Sequence, residues 1–157
     1  LIFLLETKVK KVTAVLKTLD KKDAEGNLIN VDDNAICIYE MENGAVGTMT
    51  ASWTYYGEED NSTIIYGSEG ILKIYDDPNY SIVRIGKDGT KIYYELDKMQ
   101  TNDNQTKSGI IDSWVAAIKN DTVPEENGKD ALDAMKAIFA ALESSESGQT
   151  VEITEED

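Results

Sequence analysis

Acid–base and metal chemistry have few candidate residues in this chain. Its 157 residues include no His and one Cys, Cys37, which excludes the ordinary zinc ligand sets and every catalytic triad or dyad that uses His. Asp32 and Asp33 could form a carboxylate pair, but adjacent residues entering a strand point to opposite faces, which favours an Asx-type turn or strand start. The acidic stretch Asp20 to Asn34 misses the ligand spacing of an EF-hand loop. We therefore predict no catalytic residue and no metal site within this chain.

Two glycine pairs have a spacing that could form phosphate-binding loops. Gly67 and Gly70 enclose Ser-Glu, and Gly86 and Gly89 enclose Lys-Asp. Neither pair has the six-position dinucleotide fingerprint or the Gly-Lys-Ser/Thr ending of a phosphate loop. Both pairs are predicted to be turns, and no cofactor-binding residue is assigned.

An aromatic cluster is the best candidate for ligand binding. Trp53, Tyr55 and Tyr56 stand where a predicted strand gives way to a polar loop. Rings that stack and phenols that hydrogen-bond could line a pocket for a polar ligand. The alternative is that Trp53 belongs to the core and the two tyrosines cover its rim.

Alternation of apolar and polar residues predicts strands over the first half of the chain. Val9 to Leu19 reads as a long strand, and Asp20 to Asn34 as a solvated loop or loose hairpin tip. Ala35 to Glu42 and Ala45 to Trp53 flank Asn43-Gly44, a pair suited to a type I′ turn, and are predicted to form a hairpin. On its second strand a hydroxyl-rich face (Val46, Thr48, Thr50, Ser52) lies opposite an apolar one.

Two more hairpins and two helices are predicted further along. Ser62 to Tyr66 pairs with Ile71 to Tyr75, and Ser81 to Ile85 with Lys91 to Leu96. Helical periodicity then places two apolar stripes, one of Ile110, Ile111, Trp114, Val115 and Ile118, the other of Ala131, Leu132, Met135, Ile138, Phe139 and Leu142. Asn127 with Asp130 resembles a capping box and Gly148 a C-terminal cap, with a short last strand from Thr150 to Ile153.

These elements predict an α+β fold, with a largely antiparallel, open-faced sheet and a C-terminal pair of helices packed on one face. One domain is expected over residues 1–157. The formal charge of −15 argues against nucleic acid and anionic membrane surfaces as partners. Leu1 to Leu5 is too short for a membrane span, and a lone thiol fits a reducing compartment, so a cytoplasmic location is expected.

The order of several motifs resembles one family. Val31 to Ala35, Glu42 to Thr48 and Ile65 to Leu72, followed by Asp112 to Ile118 and Ala140 to Val151, are similar to the C-terminal domain of the glucose-fructose oxidoreductase, inositol dehydrogenase and rhizopine catabolism (Gfo/Idh/MocA) family. The resemblance covers residues 1 to 153.

The resemblance implies a parent protein with an N-terminal Rossmann domain that binds NAD or NADP and carries the catalytic residues. Such a parent would move a hydride between the cofactor and a sugar, polyol or related hydroxy compound. The present chain would not be catalytic alone. It would supply substrate contacts, for which Trp53, Tyr55 and Tyr56 are the candidates, and a homo-oligomer interface on the open sheet face. The alternatives are a stand-alone, non-enzymatic ligand-binding domain or a dimerisation domain.

Overall fold

A computed structural model describes residues 1–54, 56–57, 60–95, 109–124 and 127–154. It divides into two compact units, one formed by Leu1–Tyr55 with Ile110–Asp157 and the other by Tyr56–Gly109. A single domain over residues 1–157 stays a prediction. The described elements are α1 (Ile2–Leu5), β1 (Val9–Lys17), β2 (Asn34–Met41), β3 (Val46–Ser52), β4 (Thr63–Gly67), β5 (Gly70–Ile74), β6 (Ile82–Gly86), β7 (Lys91–Tyr94), α2 (Ile110–Asn120), α3 (Gly128–Ser147) and β8 (Val151–Glu152).

The first unit contains an antiparallel sheet in the order β3-β2-β1-β8. The hairpin of β2 and β3 is confirmed, and the Met41 N–H donates to the Ala45 carbonyl at 2.8 Å. The predicted type I′ turn is wrong, because that turn needs a positive φ at both central residues and only Gly44 of the pair has one, at 86°. Between β1 and β2, Lys22 forms an isolated bridge with Leu28, as expected for a hairpin tip in a polar loop.

One face of this sheet forms the core of the first unit. Alternate residues of β1 and β2 are buried there against α3 because side chains on a strand alternate between its two faces. The core members are Val9, Val12, Ala14, Cys37, Tyr39, Met41, Ala137, Ala140 and Ala141. Among the described residues of this unit, α3 covers one side of the sheet and the other side is exposed.

Helix α3 begins and ends as the sequence predicts. The Asn127 side chain accepts hydrogen bonds from the backbone N–H groups of Lys129 and Asp130, at 2.9 and 3.2 Å. At the other end Gly148 takes a left-handed conformation, with φ 69°, and its N–H donates to the Ser144 carbonyl at 2.9 Å. These bonds satisfy backbone groups that a helix terminus leaves unpaired.

The face that α3 turns toward the sheet differs from the expected one. The large apolar residues Leu132, Met135, Ile138, Phe139 and Leu142 are exposed, and Ala137, Ala140, Ala141 and Ser144 are buried instead. Small residues let the helix backbone approach β1 closely, which large side chains would prevent. The predicted stripe on α2 is exposed as well, from 41% at Val115 to 77% at Ile111.

The second unit is an antiparallel meander in the order β4-β5-β6-β7. Both of its described hairpins follow the sequence prediction, except that Leu96 lies outside the described residues. Gly70, with φ 147°, is required at the first hairpin because a Cβ there would lie 2.1 Å from the Ile85 carbonyl oxygen. The α+β class is confirmed, with two four-stranded sheets in place of one. In the described part of the chain no helix is both long enough and apolar enough to cross a bilayer.

Candidate functional site

Trp53 stands at the end of an edge strand. It follows β3, the outermost strand of the first sheet, and 65% of the residue is exposed. Its backbone N–H donates to the Asp33 carbonyl at 2.8 Å, which continues the ladder one residue beyond β3. The ring is therefore outside the core of this chain and available to a ligand.

The other two aromatic candidates lie outside the described residues of the first unit. Tyr56 belongs to the second unit and is 77% exposed. Tyr55 lies outside the described residues. A substrate-binding role for Trp53, Tyr55 and Tyr56 stays a prediction.

The side chain of Asp33 is a buried carboxylate at the same end of the sheet, and backbone N–H groups surround it. The residue is 3% exposed. Its Oδ1 accepts the Leu19 N–H at 2.8 Å, and its Oδ2 accepts the N–H groups of Asp20 and Lys21 at 2.9 and 2.8 Å. The Asn34 Nδ2 donates to Oδ1 at 2.8 Å. Four donors thus converge on one carboxylate.

These donors decide the charge state of the carboxylate. Burial by itself would raise the pKa of Asp33, but the three backbone N–H groups and the Asn34 amide outweigh it and hold the pKa far below its usual range. A carboxylate that stays ionised, with both oxygens occupied, is unsuited to proton transfer near neutral pH. The arrangement therefore holds structure in place. Asp33 is buried and Asp32 is exposed, so the two carboxylates do not form the acid–base pair considered from the sequence.

Asn34 extends this network to the residues on both sides of Trp53. Its Oδ1 accepts the Ser52 hydroxyl at 2.6 Å and the Thr54 hydroxyl at 3.2 Å. Ser52 and Thr54 also approach one another, with 3.0 Å between their hydroxyl oxygens. Sequence reasoning placed a turn at Asp32-Asp33 and missed this network. The available signal was Asp33-Asn34 at the start of β2, together with Ser52-Trp53-Thr54 at the end of its partner β3.

The open face of the first sheet combines hydroxyl and aliphatic side chains. Thr48 lies opposite Ile38 and Thr50 opposite Ile36 in the register of β2 and β3. Val15 on β1 lies opposite Ile36 on the same face. The exposed members are Thr13, Val15, Ile36, Ile38, Val46, Thr48, Thr50 and Ser52. This surface is exposed and partly apolar, which suits an interface.

The described residues do not fit a nicotinamide cofactor. A dinucleotide site needs a parallel strand–turn–helix unit whose glycine-rich turn meets the pyrophosphate, whereas every strand pair in the described ranges is antiparallel. Across those same ranges no three His, Cys, Asp or Glu side chains are grouped to hold a metal ion.

Solved structures share this fold over most of the chain. An oxidoreductase domain protein from Kribbella flavida is 20% identical, with a TM-score of 0.78, over 98% of this chain and 48% of that one. An aldose-aldose oxidoreductase from Caulobacter crescentus, complexed with glycerol, is 18% identical, with a TM-score of 0.73, over 97% and 43%. A levoglucosan dehydrogenase in complex with NADH and levoglucosan is 19% identical, with a TM-score of 0.77, over 93% and 45%.

This chain therefore spans less than half the length of each of these proteins. A search of curated protein sequences found no match. A family model does match: residues 1–73 fit the GFO/IDH/MocA C-terminal domain. That match includes β1, β2, β3 and the Asp33 network, and it confirms over residues 1–73 the resemblance to the GFO/IDH/MocA C-terminal domain that the motifs indicate.

Proposed function

We propose that this chain is the C-terminal domain of an NAD- or NADP-dependent oxidoreductase that acts on a sugar, polyol or related hydroxy compound. The observation that carries the proposal is the family match over residues 1–73. The structural neighbours support it, since one is a dehydrogenase in complex with NADH and levoglucosan, and another an oxidoreductase of aldoses. The cofactor and the catalytic groups would lie in the parent protein outside this chain.

Trp53 is proposed to contact the substrate of this parent enzyme. An exposed indole ring presents an apolar face against which the C–H groups of a sugar can pack, and its N–H can donate to a hydroxyl. Tyr55 and Tyr56 are proposed as further substrate contacts.

The first experiment is a cofactor-reduction screen with the full-length protein. NAD and NADP are each offered with a panel of aldoses, ketoses and polyols, and reduced nicotinamide is followed by absorbance. We expect turnover with at least one panel member. Turnover with none, together with tight sugar binding by the 157-residue chain alone, would favour a stand-alone binding domain over the proposed enzyme.

The second experiment tests Trp53 once a substrate is found. Trp53→Ala should raise KM by about tenfold or more, equivalent to ~1.4 kcal/mol of lost binding, without changing the KM for the cofactor. The matched control is Trp114→Ala, because Trp114 is also exposed, at 55%, and lies on α2. Equal effects of the two variants would contradict a substrate contact at Trp53.

The open sheet face is proposed to join two copies of the parent. Thr50→Glu places a charge on the β3 side of that face, where its desolvation would oppose association. Sedimentation should show the dimer dissociation constant raised about tenfold or more, with no change for Thr122→Glu, an exposed position between α2 and α3. A monomeric wild type, or identical behaviour of both variants, would rule out this interface. A cytoplasmic location remains a prediction.

A further inference from the structure

Asp33 connects the ends of three neighbouring strands. Its backbone N–H donates to the carbonyl of Lys17, the last residue of β1, at 3.1 Å. Its carbonyl accepts the Trp53 N–H at 2.8 Å, just beyond β3. Its buried carboxylate binds the first backbone N–H groups of the loop that follows β1. One residue therefore fixes where β1 ends, where β2 begins and how β3 continues.

The carboxylate also sets the orientation of the Asn34 amide. Because Asn34 Nδ2 donates to Asp33 Oδ1, the amide oxygen is left facing Ser52 and Thr54, the two neighbours of Trp53. Both hydroxyls donate to that oxygen. The chain is thus tied to β2 immediately before and immediately after the exposed indole.

We propose that Asp33 is a positioning residue: through Asn34, Ser52 and Thr54 it holds the Trp53 ring in a fixed place at the edge of the substrate pocket. This inference rests on the proposed function and adds that Asp33 pre-organises the contact between Trp53 and the substrate. An edge-strand end carrying a large exposed ring is tied to a single neighbouring strand and is free to fray. Fixing it before the substrate arrives lowers the ordering cost of binding.

Only a carboxylate fits this role. Asparagine has nearly the same shape, but its amide has a single acceptor oxygen. In Asp33→Asn the NH₂ group faces either the N–H of Leu19 and the Nδ2 of Asn34 or the N–H groups of Asp20 and Lys21, a donor against donors. The substitution therefore disrupts the network while adding no bulk.

The test follows Trp53 directly by ¹⁹F NMR of the full-length protein labelled with 5-fluorotryptophan. The Trp53 resonance is identified by its loss in Trp53→Phe. Asp33→Asn should shift and broaden this resonance while the Trp114 resonance stays in place. The control is Asp32→Asn, which removes the same charge from the adjacent exposed position and should move neither resonance. An unchanged Trp53 resonance in folded Asp33→Asn would overturn the proposal.

A second variant covers the case in which Asp33→Asn does not fold. Asn34→Ala leaves the three backbone bonds of the carboxylate intact and removes the Asn34 amide, which connects Asp33 to Ser52 and Thr54. Asn34→Ala should shift the Trp53 resonance too. An unchanged resonance would contradict the proposal that Asn34 connects Asp33 to the residues beside Trp53.

Kinetics then separate this inference from the proposed function. If Trp53 contacts substrate, Asn34→Ala raises the substrate KM about three- to tenfold with little change in kcat, as loss of pre-organised binding predicts. A shifted resonance with an unchanged KM would support the positioning of Trp53 and reject its role in substrate binding. An unchanged resonance in a protein with the proposed activity would reject the positioning alone.

Discussion

Replacing Ser144 by alanine should weaken the attachment of α3 to the first sheet. Ser144 is 1% exposed, and its hydroxyl serves two backbone groups at once. The hydroxyl oxygen accepts the Ala14 N–H at 2.9 Å, and the hydroxyl donates to the Gln149 carbonyl at 2.7 Å. One side chain thus links the helix, the central strand β1 and the segment leading to β8.

The expected loss follows from these two bonds. A buried N–H left without a partner costs about 1–3 kcal/mol, and losing the bond to the Gln149 carbonyl adds about 1 kcal/mol. The better helix propensity of alanine returns about 0.5 kcal/mol. Ser144→Ala should therefore lower the free energy of unfolding by about 1.5–3.5 kcal/mol.

Urea unfolding followed by circular dichroism measures this change, with Ser147→Ala as the matched control. Ser147 lies on the same helix, but it is exposed, and its hydroxyl accepts the Gln149 N–H at 3.2 Å. Water can replace that bond, so the control should change stability by less than about 0.5 kcal/mol. Hydrogen exchange should also show faster exchange of the Ala14 amide in Ser144→Ala. Equal stabilities of the two variants would refute the assignment of a stabilising role to the buried bonds.

Three other changes test the fold and the Asp33 network. Gly70→Ala should lower the free energy of unfolding by more than about 3 kcal/mol, because φ 147° and the Ile85 carbonyl oxygen both exclude a Cβ. Gly89 lies in open space at φ 81°, so Gly89→Ala should lower it by about 1–2 kcal/mol in the same urea experiment. Ala140→Leu should destabilise the protein by about 1–3 kcal/mol through overpacking, measured by thermal unfolding. The pKa of Asp33 in the folded protein lies below the value of about 3.9 in the unfolded chain. The ionised carboxylate therefore stabilises the fold fully above about pH 4, and this contribution is lost as the pH falls further. The stability gap between wild type and Asp33→Asn should therefore be constant near neutral pH and narrow below about pH 4, and a gap that does not depend on pH would contradict the ionised network.

The local elements were predictable where one short segment determines the backbone. Asn43-Gly44 fixed the hairpin of β2 and β3, because the turn needs a positive φ that Gly44 adopts. Asn127 and Gly148 fixed the ends of α3 through bonds to residues within four positions. Such interactions join residues that are close together in the sequence, so the local pattern predicts them.

The Asp33 network was not predictable because its donors are distant in sequence. The carboxylate binds residues 12 to 14 positions earlier, and Asn34 binds residues 18 to 20 positions later. A polar Asp-Asn pair before a strand reads as a turn, since exposed turns contain the same residues. Asp33 becomes buried and meets these distant donors because β1, β2 and β3 pair side by side in the folded sheet.

The face of α3 that packs against the sheet is the one with small residues, whereas hydrophobicity alone predicts the face with large apolar residues. Residues 137, 140, 141 and 144 have the same helical spacing as the large apolar stripe on the opposite side, so periodicity cannot distinguish the two faces. The deciding factor is hydrogen bonding at β1. Strand β8 pairs with Lys11 and Val12, and further along that edge the backbone of Ala14 and Leu16 is bonded by the hydroxyls of Ser144 and Ser145. Serine reaches a strand backbone only if the helix lies close to it. That closeness requires alanine at the preceding turns, and it leaves the bulky residues to face away from the sheet.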